Sequence, residues 1–167
     1  MTNTLIGTIQ DVSGNSVRVA LRDDTITGFI VMDGEGYFVG QVGGFVRIPI
    51  GFTNLFAIVT QVGAGSVPES KRDDNPFGNR WLSIQLVGES RHGGSFQRGI
   101  SQYPTIDDPV HFVTISDLRN VYGPGEPDDF VSVGCLASSE SIPALVNINK
   151  MVTRHSAVLG ATGSGKS

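Results

Sequence analysis

Apolar and polar residues alternate near the start of the chain in a pattern typical of strands. From Val17 onward, every second residue of the run Asn15 to Arg22 is valine or leucine, which is the two-residue period of a half-buried strand. A second apolar run, Leu5 to Val12, precedes it. Ser13-Gly14-Asn15 joins the two runs, and glycine and asparagine tolerate the positive φ angles of tight turns. The pattern therefore predicts that the chain begins with a β-hairpin.

Further apolar runs extend the strand pattern along the chain. We predict strands at Tyr37 to Ile50, Leu55 to Val62, Arg80 to Val87, Val110 to Leu118 and Val131 to Leu136. Gly43-Gly44 interrupts the first of these and predicts a bulge or a sharp bend. The run Leu55 to Val62 is almost wholly apolar, so we expect it to be buried on both faces. No long window of the first 135 residues repeats apolar residues at helical spacing.

Many short strands without intervening helices predict a mainly β fold. We expect a small closed or nearly closed β-barrel, with a β-sandwich as the alternative. Closure would also remove exposed strand edges. The two long connections, Gly63 to Asn79 and Gly88 to Pro109, are predicted to contact a partner or a neighbouring subunit.

A change of composition after the barrel predicts a second domain. Asn120 to Asp129 contains two prolines and two glycines, which is typical of a linker. The predicted domains are a barrel at 1–119, a linker at 120–130 and the start of an ATPase domain, incomplete here, at 131–167.

Charge and cysteine content narrow the class of protein. The chain has 12 Lys+Arg and 16 Asp+Glu, a formal net charge of -4, which gives this segment no electrostatic basis for holding nucleic acid by itself. A single cysteine, Cys135, excludes an internal disulfide, and we expect it to be a small buried residue. The N-terminus lacks the features of a signal peptide, and no window reaches the roughly 18 apolar residues of a membrane span. We therefore expect a cytoplasmic protein without membrane contact.

The most specific chemical signal is GATGSGKS, at Gly160 to Ser167. It matches G-x-x-x-x-G-K-[ST], the phosphate-binding loop of P-loop NTPases. The short run Ser156 to Leu159 precedes it and is predicted to be a buried strand of a parallel sheet. A strand that leads directly into the glycine loop is the context in which this motif binds nucleotide.

The residues of this loop have separate roles in holding a nucleotide. Gly160, Gly163 and Gly165 let the backbone turn so that successive N–H groups surround a phosphate. Lys166 would contact the β and γ phosphates of ATP, and Ser167 would contribute its hydroxyl to Mg²⁺. The predicted nucleotide-binding residues are Gly160, Ala161, Thr162, Gly163, Ser164, Gly165, Lys166 and Ser167, with Ser167 also the metal contact.

Hydrolysis needs more groups than this loop supplies. A carboxylate for Mg²⁺, a group that orients the attacking water and commonly an arginine from a neighbouring subunit are required. No catalytic residue can be identified in this segment. Without a helix after Ser167 we expect the loop to be unable to hold ATP, so the 167-residue chain alone is predicted to be inactive.

Taken together, the barrel, the linker and the loop resemble the HerA family of hexameric ATPases, which is grouped with FtsK-like DNA translocases. The resemblance is carried by Arg154-His155, by the loop Gly160 to Ser167 and by the barrel segments Tyr37 to Gly51 and Arg98 to Pro104. It implies a barrel like that at the N-terminus of ATP synthase catalytic subunits. The first strand and P-loop of an α/β RecA-like ATPase domain, truncated at Ser167, would follow.

The resemblance also implies a function. The full-length protein would be a homo-hexameric, ATP- and Mg²⁺-dependent DNA translocase or helicase that threads double-stranded DNA through its motor domain. Its barrel would organise the ring and dock an effector enzyme, such as a NurA-like nuclease in DNA repair or a sirtuin-like NAD hydrolase in antiviral defence. Two alternatives are a barrel-bearing subunit of a rotary or secretion-type hexameric ATPase and a non-enzymatic interaction barrel.

The remaining candidate residues each have a functional and a structural interpretation. His155 would touch nucleotide or a neighbouring subunit, or would begin a solvated strand. Isolated His92 and His111 lack metal-ligand spacing. Three acidic pairs are expected in solvated turns rather than as catalytic carboxylates: Asp73-Asp74, Asp107-Asp108 and Asp128-Asp129. Three aromatic residues are candidates for interface contacts or for core packing: Trp81, Phe96 and Tyr103.

Overall fold

The computed structural model describes residues 4–32, 34–65, 80–91, 94–123, 129–136, 139–153 and 157. These residues form a β-rich fold with two short helices. The strands are β1 (Leu5–Ser13), β2 (Ser16–Leu21), β3 (Gly28–Met32), β4 (Glu35–Val39), β5 (Phe45–Ile50), β6 (Thr53–Ala64), β7 (Arg80–Arg91), β8 (Gln97–Arg98), β9 (Pro109–Phe112), β10 (Phe130–Leu136) and β11 (Ser139–Asn147). The helices are α1 (Ile115–Val121) and α2 (Ile148–Val152).

Six of the strands close into an antiparallel barrel. Their order around the ring is β2-β1-β9-β5-β6-β7, and β2 pairs with β7 to complete it. This closing pair extends from Ser16 opposite Gln85 to Ala20 opposite Trp81. The short strand β8 pairs with β7 outside the ring. The mainly β fold and the closed barrel are confirmed, and the sandwich alternative is excluded.

The first hairpin is also confirmed. Strands β1 and β2 pair up to Ser13 opposite Ser16, and Gly14 occupies the turn with a φ of 59°. The backbones approach closely at Gly7 of β1, where an added Cβ would lie 2.0 Å from the carbonyl oxygen of Ala20. Glycine is therefore required at this point of the barrel wall.

Irregular pairing helps the sheet to curl. Strand β1 has a register shift between Ile9 and Asp11, and β6 has a shift after Phe56 and another after Val59. Bulges of this kind bend a strand and increase its local twist, as a six-stranded ring requires.

The barrel interior is filled by alternating side chains from all six strands. Its buried members are Ile6, Ile9, Val17, Val19, Leu21, Val46, Ile48, Leu55, Ala57, Val59, Leu82, Ile84, Leu86, Val110 and Phe112, and Val39 of β4 joins them. In β6, Leu55 and Ala57 belong to this interior, whereas Phe56 between them is buried in a different cluster. The expectation that this run is buried on both faces is thus confirmed for its first three residues.

A smaller apolar cluster lies outside the barrel wall, and we call it the outer cluster. Its buried members are Phe56, Val113, Ile115, Leu118 and Ile142. Helix α1 contributes two of these residues, and β11 contributes one. The outer cluster therefore joins the barrel wall to helix α1 and to the C-terminal hairpin.

The predicted strand Val110 to Leu118 is wrong in its second half. Strand β9 ends at Phe112, and Thr114 caps a helix instead. The Thr114 hydroxyl accepts from the backbone N–H of Asp117, and the Asp117 carboxylate accepts from the backbone N–H of Thr114. This reciprocal capping satisfies two donors at the helix start and stabilises helix over strand.

The predicted strand Tyr37 to Ile50 is two strands in different sheets. Gly40 and Gly43 adopt φ angles of 69° and 86°, and the chain turns between β4 and β5. Strand β4 pairs with β3 in a separate two-stranded sheet. The sequence patterns did not predict β3.

The C-terminal part contains an additional strand as well. The predicted strand Val131 to Leu136 is confirmed as β10, and it pairs with the unpredicted β11. Helix α1 continues to Val121, so the first two residues of the predicted linker are helical. The domain boundaries themselves stay a prediction.

Candidate functional site

The segment that leads to the P-loop motif is a β-hairpin followed by one short helix. Phe130 of β10 pairs with Asn147 at the end of β11. Asn147 also caps α2, since its side-chain oxygen accepts from the backbone N–H of Lys150 at 2.8 Å. The helix ends at Val152, a few residues before the motif.

The predicted nucleotide site lies outside the described residues. This applies to all of Gly160 to Ser167, to Arg154-His155 and to the predicted strand Ser156 to Leu159 except Ala157. The assignment of these residues to ATP and Mg²⁺ therefore stays a prediction based on the motif.

Ile142 connects this approach segment to the barrel. Its side chain is 2% exposed and belongs to the outer cluster with Phe56 of β6 and Leu118 of α1. A branched side chain buried to this extent contributes on the order of 2 kcal/mol by the apolar area that it removes from water. The hairpin that precedes the P-loop motif is thus packed against the barrel.

A polar contact joins the barrel wall to helix α1, which packs in the same outer cluster as Ile142. The Arg47 guanidinium on β5 lies 3.7 Å from the Asp117 carboxylate at the start of α1. Its Nη1 donates to the side-chain oxygen of Asn54 at 3.1 Å, whereas its buried Nε has no hydrogen-bond partner among the described residues. Arg47 therefore links the barrel wall to the N-terminus of helix α1.

His111 faces this junction from strand β9. It lies opposite Arg47 in the β5–β9 register, and its Nδ1 is 2.9 Å from the Thr4 hydroxyl. Burial, together with the charge of Arg47, lowers the pKa of His111 below its ordinary value, while Asp117 acts in the opposite direction. In the described part of the chain, no three His, Cys, Asp or Glu side chains are grouped so as to hold a metal ion.

An apolar groove opens on the outer surface of the barrel beside this junction. Its volume is about 590 Å³, and we call it the aromatic groove. It is lined by Phe45, Ile58, Val87, Phe96, Arg98, Val121 and Tyr122. Burial against it raises the pKa of Tyr122. The groove extends the outer cluster into solvent, since four of its lining residues also pack against that cluster's buried members.

A second apolar surface lies on the β3–β4 hairpin. Phe29 and Val31 alternate on one face of β3, and Phe38 lies directly opposite Phe29 on β4. We call these three residues the hairpin ridge. All three side chains are exposed to solvent, and the centres of the two phenylalanine rings are 5.1 Å apart.

The three predicted contact aromatics have different surroundings. Half-buried Trp81 packs over Gly63, and the Arg18 guanidinium lies 5.1 Å from its ring centre. Phe96 packs edge-on against Phe56 with ring centres 5.8 Å apart and also lines the aromatic groove. Tyr103 is exposed, with its hydroxyl 3.4 Å from the side-chain oxygen of Asn15.

Of the remaining candidates, Cys135 corrects an expectation, because the structure places it on the surface rather than in the core. It lies on β10, where Val131 to Cys135 are all exposed. Asp108 behaves as expected for a turn residue, since its carboxylate accepts from the backbone N–H and the hydroxyl of Thr105. Outside the described residues lie Asp73-Asp74, His92 and Asp128.

The sequence patterns missed the hairpin ridge and the aromatic groove. A run of consecutive apolar residues, Phe29 to Met32, was the available signal for the ridge. The groove has no sequence signal, because it combines residues from strands β5, β6, β7 and β8 with the end of α1.

Comparison with known families decides the assignment of the C-terminal segment. The family described as "Helicase HerA, central domain" matches residues 131–167, which include β10 except its first residue, β11, α2 and the P-loop motif. This segment is therefore similar to the central domain of the HerA helicases. Residues 131–167 are thus a HerA-like portion of a P-loop ATPase, and a closed barrel precedes it.

A search of curated proteins gives no match to this chain. No helix within the described ranges has the length and apolar character needed to cross a bilayer.

Proposed function

We propose that this chain is the N-terminal assembly and partner-docking portion of a HerA-like hexameric ATPase that moves double-stranded DNA. In this proposal the barrel organises a ring of copies and presents a surface to an effector enzyme. A NurA-like nuclease in DNA repair or a sirtuin-like NAD hydrolase in antiviral defence would fill that role. The protein would act in the cytoplasm.

One observation carries the proposal. The HerA central-domain match covers the P-loop motif and follows a closed barrel and helix α1 in the chain. In the motif Lys166 would bind the β and γ phosphates of ATP, and Ser167 would bind Mg²⁺, which supplies charge neutralisation during phosphoryl transfer. Packing of Ile142 on the outer cluster supports a barrel that is coupled to the ATPase portion rather than loosely tethered.

The net charge is consistent with a proposal in which the motor binds DNA and the barrel binds protein partners. The chain as a whole has a formal charge of -4 and so no net attraction to the DNA backbone, and in this proposal the DNA is held by the motor rather than by the barrel. The exposed apolar surfaces of the barrel favour protein partners instead.

Native mass spectrometry of the protein purified from the cells that make it tests the ring. Sixfold assemblies of subunits heavier than 17.7 kDa would support the motor. A 17.7 kDa monomer would contradict it and would leave the non-enzymatic interaction barrel as the better account.

Phosphate release from ATP, measured with and without double-stranded DNA, tests the motor directly. Replacement of Lys166 by Ala should abolish release by the native assembly, whereas the matched variant Lys150→Ala, at an exposed position on α2, should retain it. The 167-residue chain by itself should release no more phosphate than its Lys166→Ala variant. Equal activity of the two lysine variants in the native assembly would overturn the proposed role of the loop.

A further inference from the structure

We propose that the aromatic groove is the surface against which the remainder of the ATPase portion, beyond Ser167, packs on the barrel of its own chain. The inference rests on the proposed function, because it names the surface through which the barrel and the motor of one subunit would meet. Its basis is the continuity of the groove with a contact that already joins the two portions.

The aromatic groove and the outer cluster form one continuous apolar surface. Phe45, Val87, Phe96 and Val121 line the groove and also pack against the buried members of the cluster. All four side chains are half-buried, so part of each is covered within the chain and part is open to solvent. The apolar surface therefore extends beyond the residues that now bury it, and a further partner can bury the rest.

The ATPase portion already contacts the barrel within this surface. Ile142 of β11 lies within residues 131–167, which match the HerA central domain, and its side chain is buried in the outer cluster. Strand β11 also contacts α1, and Val121 at the end of that helix lines the groove. A domain that continues from this hairpin is thus held beside the groove.

The β10–β11 hairpin is itself incompletely covered. Val131 and Val133 of β10 are 42% and 66% exposed, and within the described residues β10 pairs only with β11. A two-stranded hairpin with an open edge is marginally stable in water, and further packing is needed to hold it. The hairpin and the groove are joined by the outer cluster, so one domain can cover both.

A short tether favours the ATPase portion of the same chain over other partners. Tyr122 lines the groove and Phe130 begins β10, so eight peptide steps separate them. A chain of that length extends at most about 28 Å. Tethering of this kind gives a partner an effective concentration on the order of mM, which a second copy or an effector enzyme binding from solution would have to exceed.

The chemistry of the groove suits a contact between protein domains. Its volume is about 590 Å³, and among its described lining residues Arg98 alone carries a charge. Arg98 is exposed, whereas the apolar residues Phe45, Ile58 and Val87 are half-buried. Depletion of charge at the centre with a polar group at the rim is typical of protein interfaces. The groove therefore offers apolar side chains a site and offers a DNA backbone almost nothing.

Photo-crosslinking in the native assembly identifies the occupant. The photoreactive residue p-benzoylphenylalanine replaces Tyr122 at the end of α1 in one variant and Arg98 of β8 in another. Both positions are exposed, so the melting temperature of each variant should match that of the unaltered protein. The matched control replaces Phe52, which is 88% exposed in the β5–β6 turn, at the opposite end of that strand pair from Phe45 and Ile58.

Gel electrophoresis after irradiation gives the chain mass, and peptide mass spectrometry identifies the attached peptide. We expect both groove variants to attach to peptides beyond Ser167 without a change in chain mass, because the partner belongs to the same chain. Their yield of such attachment should exceed that of the Phe52 control by roughly tenfold or more, because only the groove is held against a tethered domain.

Three outcomes would overturn the contact: a doubled chain mass, which identifies a second copy; attachment to another protein; and no attachment from either groove position. Each of them leaves phosphate release by the native assembly unaffected. A heavier chain without the attachment contradicts this contact alone. A chain of 17.7 kDa in the same gel would show that the ATPase portion is absent, which contradicts the proposed function as well.

Discussion

The barrel interior and the hairpin ridge are built from the same kinds of residue and differ in what covers them. Ile84 in the barrel wall is fully buried by side chains from the other strands, whereas Val31 on the hairpin is exposed over most of its surface. Ring closure accounts for the difference, because it encloses the inner face of six strands and leaves β3 and β4 outside. Apolar residues in the first region stabilise the fold, and those in the second are available for binding.

The largest loss of stability is expected from a substitution in the barrel interior. Ile84→Ala removes a fully buried branched side chain and leaves a cavity, so we expect the free energy of unfolding to fall by about 2–5 kcal/mol. Val31→Ala on the ridge should change it by about 0.5 kcal/mol or less. Urea denaturation of both variants measures the contrast. Similar losses would mean that the ridge is also part of the folding core.

The next largest effect is expected at the outer cluster. Ile142→Ala should cost about 2 kcal/mol, at the low end for such a change, because this small cluster can partly collapse around the cavity. The loss should be local. Amide hydrogen exchange should accelerate in β10 and β11 while the protection of β1 and β2 is retained, and uniform acceleration would show that the hairpin and the barrel unfold together.

The capping residues of the two helices give a smaller effect. Thr114→Ala removes a capping box from α1, which buries two residues in the outer cluster, and should lower barrel stability by about 1 kcal/mol. Asn147→Ala removes the cap of α2, which buries no residue, and should leave the barrel melting temperature unchanged. A melting temperature restored in Thr114→Ser would confirm that the capping hydroxyl accounts for the loss of stability in Thr114→Ala.

The smallest effect concerns pH. The pKa of His111 is lower in the folded chain than its ordinary value of 6.5, so the unfolded chain binds the proton first as the pH falls. His111 should therefore contribute to a loss of stability that begins near pH 6.5 and grows until the folded pKa is reached. Denaturation at several pH values should show a weaker dependence for His111→Gln. An unchanged dependence would assign the titration to other groups.

The parts of the fold that the sequence predicts are those with regular local patterns. Strand β2 alternates cleanly, and Gly14 lies where the turn requires it. Strand β3 was missed because its outer face is apolar as well, so no two-residue period appears in Phe29 to Met32. Helix α1 was missed because Ile115 continues an apolar run, although Thr114 and Asp117 form a recognisable capping pattern.

For the site, the predictable part is a contiguous motif and the unpredictable part is a surface. The eight residues from Gly160 to Ser167 can be recognised together because the chemistry of phosphate binding is local in sequence. The aromatic groove joins Phe45 with Arg98 and Tyr122, which only the folded chain brings together. Its existence depends on strand order, and strand order depends on long-range pairing.

One such pairing determines when the barrel can form. Strand β1 pairs with β9, and Thr4 bonds to a histidine 107 residues further along the chain. During synthesis β1 and β2 emerge from the ribosome well before β9. One edge of β1 therefore has no partner until Phe112 has emerged. A nascent chain in this interval presents an open strand edge and unburied valines, the features that molecular chaperones bind. Nascent chains that stall before residue 112 should therefore remain chaperone clients, and chains that extend past α1 should be released.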